Sequence, residues 1–163
     1  MTCLVDFQGF KDGNNVFIVK ELAIAFEDGS YETFVFKPPT DVYITPHYER
    51  SNRYCTRKLH GLRWDEGDLE YDTLNIILEE RTSPVICVKG KEKTSFLSNI
   101  LLGKEIKNLE EILPVKLSSL KKVDHRCFHV GPSCAVKNVL KLYNWLKAVD
   151  EFFFSKNNKE CLV

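Results

Sequence analysis

The first thing this chain lacks is an excess of charge of either sign, since 23 Lys and Arg stand against 23 Asp and Glu. A neutral chain exerts no global pull on nucleic acid or a membrane, so any such contact has to come from a local patch. No apolar run approaches the roughly 20 residues that cross a bilayer. Met1 leads almost directly into a strand-like stretch, without the charged start, apolar core and cleavage site of a secretory leader. No repeat, low-complexity tract or Gly/Ser-rich linker interrupts the 163 residues, a length that suits one domain with its own core. A disulfide framework is missing too: Cys3, Cys55, Cys87, Cys127, Cys134 and Cys161 are scattered, unlike the cysteines of a small secreted scaffold. Together these absences predict an intracellular protein, cytoplasmic or nuclear, with mostly reduced thiols and no membrane partner. They also predict a single domain over residues 1–155, followed by a polar tail at 156–163.

What is present begins with the stretch Thr2 to Pro39. Leu4-Val5-Asp6-Phe7, Val16 to Phe26 and Tyr31 to Phe36 are rich in Val, Ile, Phe and Tyr and are separated by polar turns, which reads as three strands of an antiparallel meander. Side chains two apart on a strand point the same way, so Asp6 and Gln8 share one face. Two carboxylates there would begin a site for divalent metal ions. Here the second is an amide.

Asp6-Phe7-Gln8, the long second strand, the Asp-Gly turn, the third strand and the Lys-Pro exit resemble the opening of the DnaQ-like 3′–5′ exonucleases of the RNase H-like superfamily. That family starts with Asp-x-Glu, of which this chain keeps the Asp. The resemblance implies an α/β fold with a mixed five-stranded sheet, the antiparallel meander followed by parallel strands and flanked by helices. In agreement, Leu69, Leu74, Ile77 and Leu78 approximate helical spacing, Val85 to Val88 is a short apolar run typical of a buried parallel strand, and Thr94 to Leu101 is amphipathic and stops at Gly103. Ile106 to Leu109 suits a last short strand, and Leu117 to Lys122 a short helix. A final helix carries Ala135, Val139, Leu142, Leu146 and Val149 along one side, after Gly131-Pro132-Ser133.

The family's remaining functional positions are an acid ahead of a Phe-Leu pair, and a His followed five residues later by an Asp at the last helix. Counting back from Phe96-Leu97 places Lys93 at the former, or Glu92 with a slip of one. Matching Ala135-Val136 to the family's apolar pair places Ser133 and Asn138 at the latter two. Serine is no base at neutral pH without a base of its own, and asparagine brings no charge to a metal. If Lys93 holds the position, its ammonium is expected to neutralise Asp6 without an ion; the alternative is that Glu92 and Lys93 both face water.

Two further constellations stand out. Thr40 to Trp64 reads as an irregular segment in which Arg50, Arg53, Arg57, Lys58 and Arg63 alternate with Tyr43, Tyr48, Tyr54 and Trp64. Cations that track phosphates beside rings that stack on bases suit a single-stranded nucleic acid, while a solvated loop with its tyrosines packed inward is the plainer reading. His60-Gly61-Leu62 is also similar to a His-Gly-Ile found between the family's first two motifs. Upstream of the last helix, Cys127, His129 and Cys134 lie close to His125, and thiolate with imidazole is zinc's preferred set, although buried cysteines serve equally as small hydrophobes. Maelstrom domains are similar in outline, being DnaQ-like domains that have lost the exonuclease acids and hold a Glu-Cys-His-Cys zinc set. Phe152-Phe153-Phe154 either completes the core or offers a contact.

Two functions follow as expectations. One is a catalytically inactive exonuclease-like module that binds single-stranded RNA or DNA, or a protein, with no cofactor beyond a possible zinc. The other is a nuclease with a rearranged set, in which Glu21, Glu92 or Asp124 would replace lost ligands for Mg²⁺ or Mn²⁺, or in which zinc would support cleavage.

Overall fold

The architecture was read from a computed structural model that describes residues 1–112, 116–129 and 131–160, with side chains for all of these except 112 and 150–160. Five strands form one mixed sheet: β1 (Thr2–Lys11), β2 (Phe17–Phe26), β3 (Tyr31–Val35), β4 (Val85–Val88) and β5 (Glu105–Asn108). Their spatial order is β3-β2-β1-β4-β5. β2 is antiparallel to both β1 and β3, whereas β4 runs parallel to β1 and β5 parallel to β4. The chain is therefore an α/β protein in which a meander is extended by two parallel crossovers.

Alternation along β1 and β2 divides the core. Cys3, Val5 and Phe7, with Leu22 and Ile24, pack beneath α2 (Leu74–Arg81) and α3 (Lys91–Ile100). Leu4 with Ala23 and Ala25 packs, together with Leu109 of the one-turn α4 (Leu109–Ile112), against α5 (Ala135–Glu160), through Ala135, Val136, Val139 and Leu142. Small residues at 23 and 25 let the long helix lie close to the sheet. The helix continues through 160, so the expected boundary at 155 falls inside it, while residues 161–163 and the side chains of Phe152-Phe153-Phe154 lie outside the described residues.

A bulge sets which face Glu21 meets. Register shifts between Gln8 and Gly9, with Gln8 opposite Glu21 and Gly9 opposite Val19, so Lys20 is the extra residue. A Cβ on Gly9 would lie 1.8 Å from the Ile18 carbonyl oxygen, so the crossing requires glycine there. Lys20 is fully buried and donates to the carbonyls of Phe36, Trp64 and Glu66. Burial pushes its ammonium down to about 8, against the opposing pull of Glu66 and Asp65.

The segment expected to be irregular is largely helical. Thr45 caps α1 (Pro46–Tyr54) by accepting from the Tyr48 amide, Pro46 occupies the first turn, and a π-helical turn continues over Cys55–Leu59. Only Asn52 of α1 is buried, which explains why no apolar periodicity announces the helix. Asn52 earns its burial on β1. Its amide accepts from the Lys11 N–H at 3.0 Å and donates to the Lys11 carbonyl at 2.8 Å, while the His60 ring bonds the Gly9 carbonyl at 3.0 Å. β4 pairs β1 only over Thr2–Val5, so these two side chains cap the strand edge beyond it.

Candidate functional site

Asp6 is 3% exposed and lies on the α5 face of β1. Its Oδ1 is 2.5 Å from the Lys93 Nζ, and its Oδ2 accepts from Asn138 Nδ2 at 2.8 Å and from Gln8 Nε2 at 3.4 Å. Each partner is fixed by its element. Gly90, with φ of 113°, turns the chain from β4 into α3 so that Lys93 sits in the first turn of that helix. Asn138 sits in the first turn of α5, its amide nitrogen bonded to the Cys134 carbonyl at 3.0 Å. Four of the five positions matched to the exonuclease pattern, Asp6, Gln8, Lys93 and Asn138, are thus brought into one hydrogen-bonded group. Ser133 is not a partner of that group, and its backbone amide donates to the Leu59 carbonyl at 2.9 Å.

None of the three acids considered as substitutes joins Asp6. Glu92 pairs with Lys11 at 2.9 Å, and Asp124 is exposed. Glu21 is buried on the same sheet face, opposite Gln8, but it serves a second cluster: Oε2 is 2.7 Å from His129 Nε2, and Oε1 accepts the Ala135 amide at 2.8 Å. His129 also bonds the His60 carbonyl through Nδ1. Burial works against a charged His129, but its bonds to Cys134 and Glu21, the Glu21 charge and the His60 carbonyl outweigh it and push the ring up to about 10. Both ring nitrogens of His129 face oxygen acceptors, so a metal that takes either one has to displace a proton. Cys134, whose thiol burial pushes up, lies 2.8 Å from Cys127 sulfur to sulfur.

The trio Cys127, His129 and Cys134, expected round one ion, is divided. Among the described residues, His125, Cys127 and Cys134 form one group of potential metal ligands, Glu21, His129 and Cys134 form another, and Cys134 belongs to both. Glu21 is the potential ligand that reading the sequence failed to place here. Its signal was a lone Lys-Glu pair inside the otherwise apolar FIVKELAIAF, but the register that carries it to His129 depends on the bulge.

Arg50, Arg53, Tyr54, Arg57, Lys58 and Arg63 are all exposed along α1, its π-helical extension and the following loop. Arg53 pairs with Glu49 at 2.9 Å and Arg63 approaches Glu66 at 3.9 Å, whereas Arg50 and Arg57 have no carboxylate partner among the described residues. No helix among the described residues is long and apolar enough to cross a membrane, and Cys3, Cys55, Cys127 and Cys134 are free thiols. Compared with known protein families, curated proteins and solved structures, the chain matches none.

The Asp6–Lys93 contact makes a thermodynamic prediction. Lys93→Met leaves a buried carboxylate with only amide partners and is expected to lower the unfolding free energy by about 2–4 kcal/mol. Asp6→Asn combined with Lys93→Met removes both charges and is expected to lose less than half of that. Urea denaturation of the single and double variants reads the coupling; additive losses would show that the two charges do not support each other.

Proposed function

We propose that this chain is a non-catalytic DnaQ-like module of the RNase H-like superfamily that binds single-stranded nucleic acid, with a structural zinc beside its retired metal cleft. An α/β sheet built as a meander followed by parallel strands supports the fold half of this reading. The observation that carries the rest is the state of Asp6, whose oxygens are occupied by an ammonium and two amides.

Metal-assisted phosphodiester cleavage needs converging carboxylates to hold the ions that activate water and stabilise the departing oxygen. Lys93 supplies a single positive charge on the Asp6 carboxylate but no coordination position at which water could be activated. A rearranged nuclease is the weaker reading, because Glu21 and Glu92 are committed to His129 and Lys11. The exposed arginines, interleaved with Tyr54 and Trp64, provide the local patch that a neutral protein needs in order to hold a phosphate backbone.

Zinc fits the donor chemistry of the second cluster. Glu21, His129 and Cys134 would hold it, with His125, Cys127 and Cys134 the alternative set; only movement of Cys127 toward His129 would assemble the residue types of the Maelstrom set round one ion. Bound there, zinc would tie β2 to the segment entering α5 and replace the His129 proton as the partner of Glu21. Reduced thiols at both cysteines suit this role and an intracellular setting.

Labelled single-stranded RNA and DNA incubated with the purified protein and Mg²⁺ or Mn²⁺ are expected to be bound and left intact. Metal-dependent cleavage that disappears in Asp6→Ala would overturn the non-catalytic reading, and absence of binding to either strand would overturn the ligand. For zinc, elemental analysis is expected to find about one ion per chain, and chelation to lower the melting temperature of the parent but not of Cys134→Ser. A parent without metal and indifferent to chelator would remove zinc from the account.

A further inference from the structure

A hollow of about 530 Å³ opens between α1, its π-helical extension and the loop that follows. Phe10, Ile44 and Trp64 give it apolar walls, with the Phe10 and Trp64 rings 5.6 Å apart and tilted by 55°, while Arg57 and Arg63 stand exposed at its margin. The volume is that of a site for a small organic group. An aromatic interior beside Arg57, which has no carboxylate partner among the described residues, and Arg63, which lies 3.9 Å from Glu66, matches a ligand that is aromatic at one end and anionic at the other.

Of the polar groups lining the hollow, Asn52, Thr56 and Glu49 are already occupied, while Asp65 places an exposed carboxylate at its margin. Both polar atoms of the Asn52 side chain are bonded to the Lys11 backbone, the Thr56 hydroxyl donates to the Leu62 carbonyl at 2.8 Å, and Glu49 is held by Arg53. Apart from Asp65, little is left to read the hydrogen-bonding edge of a base. The adjoining edge of β1 is capped by Asn52 and His60, so it offers no open strand onto which an extended peptide could pair.

We propose that this hollow is a stacking subsite that receives one base of a single-stranded nucleic acid against Trp64, with Arg57 and Arg63 on the flanking phosphates. The inference rests on the single-strand-binding reading above and locates it. Recognition is by ring face and backbone charge, so bases are taken with little discrimination. An acidic peptide with an aromatic side chain is the rival occupant.

The test uses the full chain carrying Trp145→Phe, which leaves Trp64 as the sole indole. Two titrations are run: a fluorescein-labelled single-stranded decanucleotide followed by anisotropy, which reports binding anywhere, and the unlabelled strand followed by Trp64 emission. Coincident curves are expected, with oligo(A) and oligo(U) within about tenfold of each other. Trp64→Ala is expected to weaken binding about 10- to 100-fold, and Trp64→Phe to restore most of it. Anisotropy without any change in Trp64 emission would overturn the subsite and leave strand binding standing. No anisotropy response would remove both. Quenching by a Glu- and Tyr-rich peptide but not by the decanucleotide would assign the hollow to the rival. Because emission is read on the parent side chain, the result does not depend on Trp64→Ala folding.

Discussion

A carboxylate taken out of water has to be neutralised, and what neutralises Asp6 decides what this protein can do. Isolated burial of the charge would be costly enough to force protonation, so the residue survives at 3% exposure only with partners. Those partners come from three elements: Gln8 from its own strand, Lys93 from the first turn of α3 and Asn138 from the first turn of α5. The contact thus pins two helix starts to the central strand. The ammonium and the two amides make Asp6 a structural clasp between the strand and the two helix starts.

The second cluster lies on the same sheet face and depends on the same local geometry. Gln8 and Glu21 are cross-strand neighbours, and the bulge at Lys20, made possible by Gly9, sets Glu21 beneath the segment that enters α5. Glu21 then takes the His129 ring and the Ala135 amide, placing negative charge at the positive end of the longest helix. His60 joins this group to α1 by bonding Gly9 through its ring and His129 through its carbonyl. With burial holding its ring below the ordinary imidazole range, His60 is a neutral strut. Its likeness to the exonuclease His-Gly-Ile is therefore matched by a packing role.

The sheet was readable from sequence where β-branched and aromatic residues form uninterrupted runs: β2, β3 and β4 lie within a residue of their expected limits. The last helix was equally readable from its apolar stripe. The helix at Pro46–Tyr54 was not, because it buries one asparagine and presents arginines and tyrosines to solvent, leaving Thr45 and Pro46 as its only local signals. Lys93 and Asn138 could be placed by counting from apolar landmarks, since a helix start fixes spacing to about one residue. The partner of His129 could not be placed, because a single-residue bulge decides which face of β2 a side chain meets and leaves little mark on composition. Trp64 was visible as one aromatic among several, and the hollow it lines depends on the helix that the sequence concealed.

The most direct measurement of the central claim is anomalous diffraction from crystals soaked in MnCl₂. If Lys93 has taken the place of the ion, no manganese signal will lie within coordination distance of Asp6, and the Lys93 ammonium will remain against its carboxylate. A manganese peak on Asp6, with Lys93 swung away and further carboxylates drawn in, would contradict the account.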